Sequence, residues 1–158
     1  MKNCTIANKH GASEPNRFTP SGKTTPMTTI NLMTPRQAWQ SLQETAGAVL
    51  LDVRDKIEFS LVGHAPGALN IPWKLAPTWQ PNNTFLQDVK DSIPDVSTPI
   101  FLICRSGQRS FDAAGALANE GYTCLTNVEE GFEGPLNDQK HRSTLAGRRF
   151  HNLPWEQN

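Results

Sequence analysis

Three runs of apolar residues in the middle of the chain have the length of buried β-strands. Residues 48–53 and 99–104 each contain no more than one charged side chain, a pattern typical of strands that are covered on both faces of a parallel sheet. A shorter run over residues 124–128 predicts a third strand. We therefore expect the hydrophobic core to form around these strands.

Apolar residues at helical spacing lie between these runs. Trp39 and Leu42 fall on one face of a segment that begins with Thr34 and Pro35. Threonine caps helices well and proline suits their first position, so the pattern predicts an amphipathic helix over residues 35–45. Helical spacing recurs in two later segments, residues 85–93 and 111–120.

The remaining segments have weaker patterns. Residues 57–59 fit a short helical turn and residues 68–71 a short extended piece, whereas the prolines and asparagines of residues 75–84 predict a loop. Because strands and helices alternate along the chain, we expect a small α/β domain. It should have a parallel sheet of about five strands with helices on both faces.

The N-terminal segment differs in composition from the rest of the chain. Residues 1–33 carry four basic side chains and one acidic side chain, which leaves the remainder with a net charge of −3. The segment is rich in Ser, Thr, Asn and Pro and lacks hydrophobic periodicity. We therefore expect a disordered tail over residues 1–30 and a domain over residues 31–158. An organelle transit peptide in residues 1–27 is the alternative.

Global composition excludes several classes of function. The 15 basic and 15 acidic side chains balance, so charge gives no argument for nucleic-acid binding. No apolar run approaches the roughly 18 residues of a membrane span, so we expect no membrane partner. The cysteines and histidines lack zinc-ligand spacing and no glycine-rich phosphate loop occurs, so we predict neither a metal nor a cofactor.

The three cysteines are expected to have different roles. Three thiols cannot form a disulfide framework, which favours a reducing compartment and a cytoplasmic location. Cys4 lies in the predicted tail and is expected to be incidental. Cys124 lies within a strand pattern and is expected to be a core residue. This leaves Cys104 as the candidate for chemistry.

Cys104 ends the second apolar run and opens a polar loop that leads into a predicted helix. Ligands bind beyond the carboxyl ends of strands in open α/β sheets, and a helix N-terminus adds unpaired N–H groups and partial positive charge. Arg105 and Arg109 add two cations. Gly107 lets the backbone curl so that N–H groups can hold an anion. These surroundings favour the thiolate, the nucleophilic form of cysteine.

Several stretches, taken in order and spacing, closely resemble a single-domain rhodanese. They are Leu51-Asp52-Val53-Arg54, Glu58-Phe59, residues 63–72 (GHAPGALNIP), residues 104–110 (CRSGQRS), residues 130–134 (EGFEG) and Leu153-Pro154-Trp155. The resemblance spans residues 34–156 and implies a three-layer α/β/α fold. Two positions depart from the family pattern: Glu130 replaces the first glycine of a common pair, and Arg148 stands where some relatives have tryptophan.

The resemblance implies sulfur transfer through a cysteine. Cys104 would take a sulfane sulfur from a small anionic donor, become a persulfide, and pass the sulfur to cyanide, a thiol or a protein acceptor. The loop would hold the anionic species through preorganised donors. The residues implied in this binding are Arg105, Ser106, Gly107, Gln108, Arg109 and Ser110. A basic residue directly after the cysteine accompanies thiosulfate in this family, so Arg105 implies thiosulfate rather than mercaptopyruvate.

Other motif residues are expected to support the loop. Asp52 and Arg54 follow one another at a strand end, where an ion pair or bracing hydrogen bonds are expected. His64 is expected to organise its loop, because sulfur transfer to a preformed thiolate needs no general base. A basic cluster near the C-terminus either steers anions or forms a solvated face. It comprises Lys140, His141, Arg142, Arg148 and Arg149.

Two alternative functions fit the pattern less well, and a third stays open. A phosphatase or arsenate reductase needs five residues between its cysteine and arginine, whereas residues 105–108 supply four. A non-catalytic interaction module would typically lack the cysteine. A persulfide carrier that delivers sulfur to a protein partner uses the same chemistry, so the sequence leaves this alternative open.

Overall fold

The computed structural model describes residues 4, 6, 16–17 and 28–158. Its strands in chain order are β1 (Asn16–Arg17), β2 (Thr29–Met33), β3 (Val49–Asp52), β4 (Leu69–Asn70), β5 (Lys74–Leu75), β6 (Gln80–Pro81), β7 (Ile100–Ile103) and β8 (Leu125–Val128). The α-helices are α1 (Pro35–Glu44), α2 (Phe85–Ser92) and α3 (Gln108–Asn119). A π-helical turn covers Glu58–Val62. None of the described helices has the length and apolar character that crossing a membrane requires.

The main sheet has the strand order β1-β2-β8-β7-β3-β4. All neighbours pair in parallel except β1, which runs antiparallel to β2. In the centre, Leu102 pairs with Leu51 on one side and with Asn127 on the other. The expected α/β domain with about five parallel strands is therefore confirmed, and the carboxyl ends of β3, β7 and β8 lie next to one another.

Helices cover both faces of this sheet and account for the apolar runs. In β7, Leu102 belongs to the core cluster on the side of α2 and α3, whereas Phe101 and Ile103 belong to the cluster on the side of α1. Successive side chains of a strand point to opposite faces. A strand with a packed layer on each side therefore needs apolar residues throughout, and all four residues of β7 are buried.

The helix predicted over residues 35–45 is confirmed as α1. Thr34 forms a capping box with Gln37, in which the Thr34 side chain accepts from the Gln37 N–H and the Gln37 side chain accepts from the Thr34 N–H. These bonds satisfy backbone and side-chain groups at the helix start. Pro35 occupies the first turn, where its missing N–H costs no helical hydrogen bond.

Two segments have more structure than the sequence predicts. The tail was expected to extend to residue 30, but the strand β2 begins at Thr29 and buries Ile30 and Met33. Residues 75–84 were expected to be loop, but the antiparallel pair β5–β6 lies in and next to this range. Neither segment has a long apolar run. In β2 the polar residues Thr29 and Asn31 flank Ile30, and the β5–β6 hairpin lies at the surface.

The expectation that Cys4 is incidental is wrong. Cys4 forms a disulfide with Cys124, and the two Cα atoms are 5.1 Å apart. Cys124 is buried as expected, but it is a cross-linked residue rather than a free core thiol. Ile6 also packs against the α1 side of the core. These parts of the expected tail contact the domain, while most of it lies outside the described residues.

Removal of the cross-link by Cys4→Ser should lower the free energy of unfolding by about 2–4 kcal/mol, because a disulfide restricts the unfolded chain. The loop that it closes is long, with 120 residues separating the two cysteines. Chemical denaturation without reductant measures the difference. Reductant should bring the wild-type midpoint to that of the variant and leave the variant unchanged. A wild-type curve that ignores reductant would contradict this expectation.

The π-helical turn is tied to α3 by an ion pair. Arg109 donates from Nη1 and Nη2 to the two oxygens of Glu58, each over 2.8 Å. Both side chains are about six-sevenths buried, with exposures of 15% and 13%. Burial alone would raise the pKa of Glu58, but the hydrogen bonds and charge of Arg109 outweigh it and hold that pKa below its ordinary value.

Replacement of Glu58 by glutamine should lower the free energy of unfolding by about 2 kcal/mol near pH 7, because Arg109 loses its counter-ion in a poorly solvated place. A lowered carboxyl pKa stabilises the fold above the unfolded-state pKa and ceases to do so as pH falls through the folded-state value. The gap between wild type and Glu58→Gln should therefore shrink in acid.

Urea denaturation at several pH values measures this gap. Glu44→Gln is the matched control, since Glu44 is an exposed carboxylate at the end of α1. A gap that stays constant down to about pH 3 would show that the Glu58 charge does not stabilise the fold.

Candidate active site

Cys104 lies directly beyond the carboxyl end of β7, at the start of the loop of residues 104–110, the Cys104 loop. Its sulfur accepts a hydrogen bond from the Gly107 N–H over 3.1 Å and lies 3.2 Å from Ser110 Oγ. The residue is 1% exposed. In the described part of the chain it is the free cysteine. The structure thus brings the predicted nucleophile into contact with two of the predicted loop residues.

The helix α3 begins within this loop rather than after it. Sequence spacing predicts its start at residue 111, but the first helical residue is Gln108. Gly107 precedes it with a φ of 110°, a left-handed conformation that glycine adopts without strain. Arg109 and Ser110 therefore occupy the first helical turn, where N–H groups lack partners within the helix. The N-terminal end of α3, which carries the partial positive charge of the helix, consequently lies beside Cys104.

The glycine-containing segment of residues 131–134 supports the loop from below. The Phe132 N–H donates to the Cys104 carbonyl over 2.8 Å, and the Glu133 and Gly134 N–H groups donate to the Arg105 carbonyl. Gly131 approaches so closely that a Cβ atom there would lie 2.5 Å from the Cys104 carbonyl oxygen. Only glycine fits at this position, because any side chain would push residues 131–134 away from the base of the Cys104 loop.

A cleft of about 300 Å³ opens over Cys104. Its lining residues are Lys74, Trp79, Cys104, Arg105, Ser106, Gln108 and Arg109. The predicted loop contributes five of these, whereas Lys74 and Trp79 were missed. Both come from the β5–β6 hairpin region. Trp79 lies in the range that the sequence predicts as loop and Lys74 directly precedes it, and neither residue has a functional signal in the sequence. We call this cavity the Cys104 cleft.

The hairpin is held in place by polar contacts with the main domain. Asp55 accepts a hydrogen bond from the Ala76 N–H over 3.0 Å, and the Asn82 side chain donates to the Pro72 carbonyl over 2.9 Å. Trp79 has a φ of 57°, and the Arg109 guanidinium lies 5.1 Å from its ring centroid. The hairpin therefore forms a fixed aromatic wall on one side of the cleft.

The charge of the cleft resides mainly on Lys74 and Arg105. Arg109 is neutralised by Glu58, so its net field is small. In the described part of the chain, neither Lys74 nor Arg105 forms an ion pair, and the buried Nε of Arg105 has no hydrogen-bond partner. The cleft therefore contains two cationic side chains that have no ion-pair partner among the described residues.

Arg142, from the predicted basic cluster, lies close to the same positive region. It donates to the Gly134 carbonyl over 2.7 Å. Its pKa is lowered by burial and by the charge of Arg105, with a smaller effect from Arg109. Arg148 behaves differently from the solvated residue that the sequence allows. It is 3% exposed, stacks 4.4 Å from the Trp39 ring and has its pKa lowered to about 10 by burial.

Asp52 and Arg54 form a buried pair at the end of β3. Arg54 Nη2 lies 2.6 Å from Asp52 Oδ2, and the same nitrogen donates to the Gly63 carbonyl over 2.7 Å. The guanidinium also lies 4.2 Å from the Phe132 ring centroid. This side chain therefore connects β3, the loop after the π-helical turn and the segment under Cys104.

His64 lies outside the residues that line the Cys104 cleft. Its Nδ1 is 3.0 Å from the Phe59 carbonyl, and its ring stacks on the Phe59 ring at 3.8 Å. Its backbone forms a bridge with Glu156. The contacts of His64 are thus with its own loop and the C-terminal segment.

Glu130, which departs from the family pattern as Arg148 does, has a left-handed backbone with a φ of 65°. A glycine would adopt this conformation without strain. The Glu130 carboxylate accepts from the Gly147 N–H over 2.9 Å and lies 2.8 Å from His151 Nε2. These contacts compensate the backbone strain by joining the segment under Cys104 to the C-terminal region.

The described residues contain no group of three His, Cys, Asp or Glu side chains that could hold a metal ion. The reactive groups that the structure places at the site are Cys104 and its neighbours in the cleft. The sulfur can attack an anionic electrophile as a nucleophile. The backbone N–H donors and the cations of Lys74 and Arg105 can bind that anion.

Comparison with known proteins identifies the family. A model described as Rhodanese-like domain matches residues 34–137. An uncharacterised protein of Rickettsia rickettsii is 36% identical over 121 residues, which cover 76% of this chain and 92% of that protein. The thiosulfate sulfurtransferase GlpE of Haemophilus influenzae is 32% identical over 102 residues, which cover 65% of this chain and 84% of the relative.

A solved structure shows the same likeness. The crystal structure of Rv0390 from M. tuberculosis superposes with a TM-score of 0.74 at 36% sequence identity, covering 80% of this chain and 97% of that chain. The matched family region contains β3, the hairpin, the Cys104 loop and the segment that supports it. The resemblance seen in the motifs is confirmed, and the chain belongs to the rhodanese-like family.

Proposed function

We propose that the protein is a thiosulfate sulfurtransferase that works through a persulfide on Cys104. The observation that carries the proposal is the position of Cys104 Sγ at the base of a cationic cleft, on a loop whose Gly107 N–H already donates to it. Relatives in the rhodanese-like family include proteins named for this activity. The acceptor would be cyanide or a thiol, carried by a small molecule or a protein.

The proposed reaction has two displacements at sulfur. The Cys104 thiolate attacks the outer sulfur of thiosulfate, a bond forms between the two sulfurs, and the S–S bond of thiosulfate breaks. Sulfite leaves with the bonding electron pair. A cyanide ion or thiolate then attacks the outer persulfide sulfur, and Cys104 departs as thiolate with the electron pair. No oxidant or reductant is consumed beyond the donor and acceptor.

The cleft suits the charge of the donor. Thiosulfate is a dianion, and Lys74 and Arg105 supply two positive charges, neither of which forms an ion pair with a carboxylate of the described residues. Arg109 serves a different purpose in this scheme, because its pairing with Glu58 fixes the first turn of α3. Donor binding therefore depends more on Lys74 and Arg105 than on Arg109.

We also propose a cytoplasmic location, because a reducing compartment keeps the reacting thiol of Cys104 available. The disulfide between Cys4 and Cys124 weakens the cysteine-count argument for that location. A persulfide carrier that delivers sulfur to a protein uses the same first displacement. The two roles differ only in the acceptor.

Incubation with thiosulfate should add one sulfur atom to the protein, a mass gain of about 32 Da, because the thiolate captures sulfane sulfur. Intact mass spectrometry under non-reducing conditions measures the gain. The added mass should be lost on treatment with cyanide and should be absent in Cys104→Ala. Loading of wild type by mercaptopyruvate but not by thiosulfate would overturn the donor assignment, and Cys104-dependent hydrolysis of an aryl phosphate would overturn the reaction class.

Lys74→Gln and Arg105→Gln should each raise the KM for thiosulfate by roughly tenfold and leave kcat within about threefold, because each removes one charge that binds the dianion. Each substitution should raise the KM for a monoanionic aryl thiosulfonate donor by a smaller factor than the KM for thiosulfate. Steady-state formation of thiocyanate measures both parameters.

Lys56→Gln is the matched control for these variants, since Lys56 is an exposed lysine outside the cleft lining. Its KM should stay within about twofold of wild type, because solvent screens an exposed charge that lies outside the cleft lining. Equal effects of the Lys56 and Lys74 substitutions would mean that general attraction, rather than binding in the cleft, selects the donor.

A further inference from the structure

Arg148 is a buried cation that has no counter-ion among the described residues. It is 3% exposed and forms none of their ion pairs. Its Nε donates to the Pro154 carbonyl over 2.9 Å, but the buried Nη2 has no hydrogen-bond partner. The Trp39 ring, with its centroid 4.4 Å from the guanidinium carbon, offers a π face but no negative charge. Arg148 therefore has one free donor and an uncompensated charge inside the fold.

A small cavity lies beside this side chain, between α1 and the sheet. The centre of a water-sized sphere has about 10 Å³ of free space in it, and one water molecule needs roughly 10–15 Å³ by the same measure. The cavity therefore fits one monatomic group and excludes polyatomic anions such as sulfate or thiosulfate. Besides Arg148, its lining consists of Trp39 and six residues with wholly apolar side chains from α1, β3, β7 and β8.

The side chains that line this cavity offer hydrogen-bond donors and no acceptor. The guanidinium of Arg148 and the indole N–H of Trp39 only donate, and the other six side chains have no polar atom. A water molecule would find no side chain to accept its hydrogens, although buried water typically makes about three hydrogen bonds. An anion accepts from the donors and also compensates the charge of Arg148. The chemistry of the lining thus favours an anion over water and over a cation.

We propose that the cavity beside Arg148 is a binding site for one small monovalent anion, with chloride as the ligand of matching size. Arg148 Nη2 donates to the ion in a charge-assisted hydrogen bond. The Arg148 N–H donates to the Gly131 carbonyl over 2.9 Å, so the ion supports the same segment that carries the Cys104 loop. The cavity and the Cys104 cleft share no lining residue. The proposal therefore does not depend on the proposed sulfur transfer.

Chloride should raise the midpoint of thermal unfolding by about 3–5 °C at ten times its dissociation constant, because the cavity exists only in the folded state. Differential scanning fluorimetry in sodium chloride and in sodium gluconate at equal concentrations measures the difference. Gluconate is also monovalent but too large for the cavity, so the comparison removes the general effect of ionic strength. Equal midpoints in the two salts up to molar concentration would overturn the proposal.

Arg148→Met should reduce the chloride-specific gain to less than about 1 °C, because methionine fills space but supplies neither charge nor donor. Arg149→Met is the matched control and should keep the gain. Arg149 is the adjacent residue and also lies over a tryptophan ring, 4.7 Å from the Trp155 centroid, but it is outside the cavity lining. Arg105→Gln should keep the gain as well, which excludes chloride binding in the Cys104 cleft as its cause. A gain of equal size in wild type and Arg148→Met would contradict the assignment.

A diffraction experiment on the wild-type protein keeps the proposal testable if Arg148→Met does not fold. Long-wavelength data from crystals grown in sodium chloride should show an anomalous chlorine peak within hydrogen-bond distance of Arg148 Nη2. An empty cavity, or a water molecule without anomalous signal, would overturn the proposal. A chlorine peak without a chloride effect on unfolding in solution would mean binding at crystal concentration only and would overturn it too.

Discussion

The close approach of the residue 131–134 backbone to the Cys104 loop is the constraint on which the site depends. Gly131 leaves no space for a side chain beside the Cys104 carbonyl, and the next N–H groups bond the carbonyls of Cys104 and Arg105. Phe132, in the same segment, lies under the Arg54 guanidinium. Through Arg54 the constraint reaches Asp52 and the loop at Gly63, so the ends of β3 and β7 are fixed together.

The two arginines of the loop have different physical roles, although the sequence presents them alike. Arg109 forms an ion pair with Glu58, and this pair orients α3 and the π-helical turn relative to each other. Arg105 has no ion-pair partner among the described residues, and Lys74, from a hairpin far from it in the sequence, lines the same cleft. Because an ion pair has a weaker field than a free cation, attraction of an anion depends on the residues that are not paired.

The sequence predicted the features that depend on local pattern. Cys104 at a strand end, the Thr34 cap and the apolar runs of the central sheet all follow from nearest neighbours and periodicity. It could not predict contacts between residues far apart in the chain. Only the folded topology brings together three such sets of residues: Cys4 with Cys124, Glu58 with Arg109, and Lys74 with the Cys104 cleft.

The start of α3 shows a subtler limit of the sequence pattern. Residues 108–110 are polar and were predicted as loop, because helix periodicity becomes visible only at Phe111. The buried amide of Asn127 is a second example, since an amide within the apolar run of residues 124–128 needs hydrogen-bond partners in the core. Its partner Ser110 is 17 positions away, so the sequence could mark the need for a partner without identifying it.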